Sequence, residues 1–245
     1  MLFTLCQQAG LLNSLAAIRN FSGLKLLRFA RKLVGTRNRN PVMALEKPQL
    51  QRSQLGEFTY SDYMRWPDGE RWQLLDGYAF AMAPPSLPHQ AVVLELGRQL
   101  ANQLLGKLCR ALVAPVGVRL PKSNEANESV RTVFEPDVLV VCDPSKIDKS
   151  GIRGAPDFII EVLSPSTARF DHIEKRKAYE LAGVREYWLV DVAGGVLTIY
   201  RQLDSAFAPP EIVRAEGVIA IVGLSGLKLD LDFMSEWLEK DESFV

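Results

Sequence analysis

The chain has 245 residues, 47% hydrophobic and 24% charged, enough to bury a sizeable core in one globular domain. Its 29 basic and 29 acidic side chains cancel, yet residues 1–45 hold seven Lys or Arg and no acid, so residues 46–245 carry an excess of seven negative charges. That body excludes general nucleic-acid binding by bulk charge, and any phosphate contact must use a local patch or a metal.

With only His89 and His172, a histidine-rich metal site is excluded too. Cys6, Cys109 and Cys142 are far apart and form no CxxC pair, which argues against a disulfide framework or a zinc site and fits a reducing, cytoplasmic setting. The first 45 residues interleave apolar side chains, among them Leu11, Leu15, Ile18, Leu26 and Phe29, with basic ones, the pattern of a basic amphipathic helix. The uncharged run from Met1 to Ile18 contains Gln7, Gln8 and Asn13, so it makes no stable membrane span. Residues 1–45 read as a weakly ordered extension, with a transit peptide or a membrane-surface helix as alternatives. Asn38–Pro41 reads as a linker, and a single domain follows over 46–245.

In that domain, Thr59 to Tyr63 opens a short helix with Ser61 as its N-cap. Residues 72–82 read as two strands around Asp76-Gly77, a strong hairpin signal, ended by Pro84-Pro85. Val92, Val93, Leu96, Leu100 and Leu104 recur at helical spacing and predict a helix over 88–108. Strands are expected at 111–120 and 133–142, then a polar loop over 143–156. A strand at 157–163 leads into a helix at 167–182 that Gly183 ends. A hairpin at 186–192 and 195–202, edge strands over 211–231 and a closing helix at 232–240 complete a mixed α/β sandwich around a curved sheet. Trp66, Trp72 and Trp188 read as core.

Strand alternation puts Glu161 on the same face as Ile159 and Leu163, among apolar neighbours. A carboxylate there needs a partner or keeps its proton. Asp137 heads the other apolar strand. Two carboxylates brought together repel unless a cation sits between them, and Mg²⁺ takes one or two carboxylates while keeping its waters. The alternative is a pair of ordinary strand-end acids bonded to backbone or a basic side chain. Asp171, Lys175, Ala178, Tyr179 and Ala182 form one helical stripe facing the sheet, with Lys177 solvated on the opposite side. Lys175 is either a member of the acidic site or the partner of Asp171 in a surface i,i+4 pair. His89, at a helix start, assists water or phosphate, or else caps and packs. Glu95, two turns further, reads as a solvated helix glutamate.

These pieces carry a resemblance. Pro136-Asp137 followed by Glu161-Val162-Leu163 resembles a PD-(D/E)XK nuclease signature with leucine in place of the last lysine. Leu75-Asp76-Gly77, Met82-Ala83-Pro84-Pro85 with His89, Pro156-Asp157, Ser164-Pro165-Ser166-Thr167, Asp171 with Lys175 and Tyr179, and Gly183-Val184 with Glu186-Tyr187-Trp188 extend it over residues 57–235. In order and spacing they resemble the Uma-two family of restriction-endonuclease-like proteins. The resemblance implies a mixed β-sheet flanked by helices, with extra hairpins, and an endonuclease that cuts DNA with Mg²⁺ (or Mn²⁺) held by Asp137 and Glu161. It also implies that Lys175 supplies the missing lysine from the following helix, and that the protein works as a homodimer. One departure stands out: the family usually has an acid before Leu-Ile-Asp-Gly, where this chain has Gln73. A nuclease fold kept as a non-catalytic binding or assembly module is the competing reading.

Overall fold

The computed structural model describes residues 58–238 apart from 68 and 70. The 1–45 extension and the last two residues of the expected closing helix lie outside the described residues. Helix α1 (Tyr60–Tyr63) is followed by strands β1 (Trp72–Leu75) and β2 (Tyr78–Ala81), then α2 (Leu87–Leu104). Strands β3 (Arg110–Val113), β4 (Val118–Arg119), β5 (Val133–Phe134), β6 (Val138–Val141), β7 (Ile147–Asp148), β8 (Gly151–Arg153) and β9 (Phe158–Val162) come next. One helical segment then runs through α3 (Ala168–Phe170), a π-helical turn (Asp171–Lys175) and α4 (Arg176–Ala182). The chain continues with β10 (Glu186–Asp191), β11 (Val196–Leu203), β12 (Ala206–Phe207), β13 (Glu211–Arg214), β14 (Val218–Ile221), β15 (Leu227–Asp230) and α5 (Ser235–Leu238).

The mixed sheet expected is present, divided into two sheets with a two-stranded ribbon beside them. The first sheet has the order β2-β1-β5-β4-β8-β7, the second β12-β11-β10-β9-β6-β3 with β13 also on β11, and β14-β15 stand apart. The switch between sheets comes from proline. The expected strand 111–120 breaks at Pro115, and 133–142 breaks at Pro136, because proline offers no N–H to a ladder. Each long strand therefore contributes one half to each sheet. The expected loop 143–156 holds the β7–β8 hairpin. Gly151 there has φ +117°, and a Cβ on it would collide with the Gly117 carbonyl oxygen, so only glycine fits.

Three smaller expectations change. Thr59, not Ser61, caps α1, and Asp62 accepts the Thr59 N–H at 2.9 Å. Trp66 is half-buried rather than core, whereas Trp72 and Trp188 are buried. Cys109 and Cys142 form a disulfide, where their spacing had argued against a disulfide framework. The register Arg110↔Val141 puts them opposite each other across β3 and β6, a proximity hidden by 33 residues of sequence. Cysteine usage therefore no longer argues for a reducing compartment. Among the described residues, no helix is long and apolar enough to cross a membrane.

The second sheet positions the site. Its strand β9 is buried on both faces, parallel to β10 and antiparallel to β6. Phe158, Ile160 and Val162 pack with Val138, Val140, Trp188 and the apolar face of α2. Ile159 packs on the other side with Leu139, Tyr187, Leu189 and Tyr179 of α4. Alternation thus turns Glu161, on the Ile159 face, into the layer between sheet and α4.

Candidate active site

Asp137, Glu161, Lys175 and His89 all line one cavity of about 330 Å³. Its walls come from the β1–β2 hairpin, the Met82–Ser86 segment, the start of α2, and the Ser164–Thr167 turn leading into α3. The register Val138↔Ile160, extended by one step, sets Asp137 opposite Glu161. Asp137 Oδ2 accepts the Val162 N–H at 2.8 Å, so the carboxylate is clipped to the end of β9.

Glu161 is only 2% exposed and Lys175 4%. Lys175 Nζ lies 2.8 Å from Glu161 Oε1 and 3.0 Å from Asp171 Oδ1. The i,i+4 pair with Asp171 exists, but it is buried and shared with Glu161, not a surface pair. Tyr179 OH donates to Glu161 Oε1 at 2.9 Å, and Tyr187 OH donates to the backbone carbonyl of Asp171 at 3.1 Å. Glu161 Oε1 thus takes two donors from the helical side.

Burial, then the charges of Asp137 and Asp171, push the Glu161 carboxyl up to about 8 against the pull of Lys175. The three surrounding carboxylates hold Lys175 above the usual lysine range despite its burial. Lys175 therefore stays an ammonium at neutral pH. Tyr179 is pushed well up by burial and by Glu161, so it stays a donor.

His89 is held by the start of α2, where its N–H donates to Ser86 Oγ at 3.3 Å. Its Nε2 lies 3.2 Å from Asp137 Oδ2, which selects the Nε2–H tautomer, while among the described residues nothing hydrogen-bonds Nδ1. Glu95 lies away from this cluster. It pairs with Arg98 at 2.6 Å on the outer side of α2, as a solvated glutamate does.

Several residues in and around the cavity escaped the sequence reading. Asp171 and Tyr179 were visible as a stripe with Lys175, but nothing marked them as parts of a carboxylate cluster. Arg71, paired with Glu135 at 2.6 Å, lines another part of the wall, and Tyr63 donates to Glu135 at 2.9 Å from behind it, with no motif to announce them. Gln73, the departure from the family pattern, is buried in the same wall.

The donor set fits a hard divalent cation. Three carboxylates face one ammonium, so charge balance calls for a proton or a further cation, and carboxylate oxygens are what Mg²⁺ prefers. Among the described residues, no three His, Cys, Asp or Glu side chains converge tightly enough to cage an ion. An ion here would rest on two carboxylates and complete its shell with water.

A mixed sheet flanked by helices, with two carboxylates on neighbouring strands and a lysine beside them, defines a restriction-endonuclease-like protein. The chain belongs to the Uma2 family, described as "Putative restriction endonuclease", whose model matches residues 60–232. It is 27% identical over 146 residues to an uncharacterized protein of Synechocystis sp., covering 58% of this chain and 73% of that one. A solved structure described as a "putative nuclease belonging to DUF820" from Anabaena variabilis shares the fold. Its TM-score is 0.59 at 18% identity, covering 74% of this chain and 99% of that one.

Proposed function

We propose that this protein hydrolyses phosphodiester bonds of DNA with a divalent metal, Mg²⁺ or Mn²⁺. The observation that carries the reading is the convergence of Asp137, Glu161 and Lys175 in one cavity, with the lysine arriving from the helix. Asp137 and Glu161 would hold the ion. When bound, such an ion supplies a water of lowered pKa and positive charge against the charge developing on the phosphate.

The side chains have separable roles in this reading. Lys175, kept protonated by its three carboxylates, acts as a donor and a fixed positive charge rather than as a base. It orients water or a phosphate oxygen at the cavity floor. Asp137, held by Val162 N–H and by His89, keeps its position when the negative substrate arrives. His89, on the cavity wall with its Nε2 beside Asp137 Oδ2, is placed to assist the attacking water or the phosphate. One feature favours the binding-module reading: Gln73 stands where the family usually has an acid, leaving two ligand carboxylates where a third is common.

The experiment is incubation of purified protein with plasmid and with single-stranded DNA circles, with Mg²⁺, Mn²⁺ or chelator. Glu161→Ala is the control. Cleavage that needs metal and is lost in the variant supports the nuclease. Cleavage that survives in Glu161→Ala refutes the site, and absence of cleavage under every condition favours the binding module.

A further inference from the structure

The reacting groups lie at the bottom of a cavity the size of a small-molecule site, and Glu161, Asp171 and Lys175 are each at most 4% exposed. A cavity of about 330 Å³ takes one nucleotide, not the width of a duplex. Among the described residues, the cavity is also poor in free positive charge. Its two lining cations, Arg71 and Lys175, are each paired with a carboxylate, and the whole body is acidic. Among the described residues it offers no basic track for a nucleic-acid backbone, so recognition must come from the base and from a bound cation.

Its upper wall offers something else. Phe80 of β2 and Phe170 of α3 both line the cavity, half-buried, with ring centroids 4.8 Å apart. Gln73 is the cross-strand partner of Phe80, so the two side chains share a face of the hairpin. Gln73 is 6% exposed, and its Oε1 has no hydrogen-bond partner among the described residues. A buried amide acceptor beside an aromatic pair, facing a cavity, matches what recognises a base removed from its stack: a π-face to stack on and an acceptor for its edge N–H. Every base carries such an N–H on its pairing edge, so the arrangement tolerates sequence.

We propose that the substrate is single-stranded DNA, or DNA with an unpaired nucleotide. Its base stacks on Phe80 and Phe170 and donates to Gln73 Oε1, while its phosphodiester lies against Asp137 and Glu161. The proposal rests on the nuclease reading for the second half of that placement and on the cavity wall alone for the first.

The test uses the full chain. Fluorescence anisotropy with a labelled mixed-sequence DNA 12-mer, alone and annealed to its complement, is read in Ca²⁺. The single strand should bind at least tenfold more tightly than the duplex. Phe80→Leu should weaken single-strand binding about tenfold and leave duplex binding within twofold, and Phe80→Trp should restore it. Phe170→Leu serves as an independent variant should Phe80→Leu fail to fold by circular dichroism. Equal or tighter duplex binding overturns the proposal, as does a leucine variant that binds like the tryptophan one. Tighter binding of the RNA 12-mer of the same sequence overturns the choice of DNA. A parallel cleavage assay in Mg²⁺ and Mn²⁺ separates the two readings. Strand preference without any cleavage refutes the nuclease and keeps the unpaired-nucleotide site; cleavage of intact plasmid as fast as single-stranded circles does the reverse.

Discussion

Glu161→Gln tests the electrostatics of the site without any substrate. In the folded chain the Glu161 carboxyl is pushed up to about 8, against an ordinary 4.5. A folded value above the unfolded one stabilises the fold fully below pH 4.5, and that stability is lost as pH rises through 8. Lys175 is raised as well, but its window opens only above the ordinary 10.5, so it contributes no slope between pH 5 and 9. The ionised carboxylate therefore costs the metal-free fold on the order of 3–5 kcal/mol at pH 9, at 1.36 kcal/mol per pKa unit. Glutamine keeps an acceptor for Tyr179 and Lys175 and cannot ionise. At pH 5 the two proteins should melt together. By pH 9 the variant should melt higher by roughly 10 °C, given about 2–4 °C per kcal/mol for a domain this size. Thermal melts in chelator at single-unit pH steps give the comparison, and taking differences cancels the other titrating groups. A variant that is less stable at pH 9, or offset equally at every pH, would refute the reasoning, because Glu161 would then enter the fold as an ordinary ion-paired carboxylate.

Millimolar Mg²⁺ or Mn²⁺ should raise the Tm of the wild type at pH 8 and leave that of Glu161→Gln nearly unchanged; identical responses in calorimetry would remove Glu161 from the ligand set. Lys175→Met leaves two buried carboxylates without their cation, so it should lose about 3–5 kcal/mol in urea melts at pH 8 and less at pH 5. Tyr179→Phe removes one donor to Glu161 and should cost about 1–2 kcal/mol at pH 8, read from the urea midpoint. Cys142→Ser, or reductant on the wild type, should lower stability by about 3–4 kcal/mol for a loop closed over 33 residues, read by melting with and without dithiothreitol.

Strand alternation and helical spacing made much of this legible. Glu161 had to share a face with Ile159, and the stripe Asp171, Lys175, Tyr179 had to face the sheet, because periods of two and of about four leave few other choices. What stayed hidden depends on contacts between distant segments. The opposition of Cys109 and Cys142 follows from the pairing of β3 with β6, and no local pattern reports it. The division into two sheets turns on Pro115 and Pro136 inside apolar runs, where the composition reads as unbroken strand. The Arg71–Glu135 wall joins residues 64 apart and carries no motif.

The placement of Lys175 shows how a lysine can leave the strand without leaving the site. Leu163, where the nuclease signature would put it, packs against the apolar layer that holds Tyr179 and Tyr187, so the strand end serves the core instead. The following helix must then reach back. It does so through the π-helical turn Asp171–Lys175, which departs from regular α geometry at the position that carries the charge. Asp171 and Tyr179 bracket Lys175 by four residues on either side, so all three side chains arrive together. Tyr187 from β10 fixes the start of the turn through the Asp171 carbonyl. Moving the cation to the helix brings a second carboxylate with it, and Asp171 then shares the ammonium that would otherwise neutralise Glu161 alone. Burial and, after it, the surplus negative charge that results push the Glu161 carboxyl up, and that surplus leaves the site able to accept a further cation.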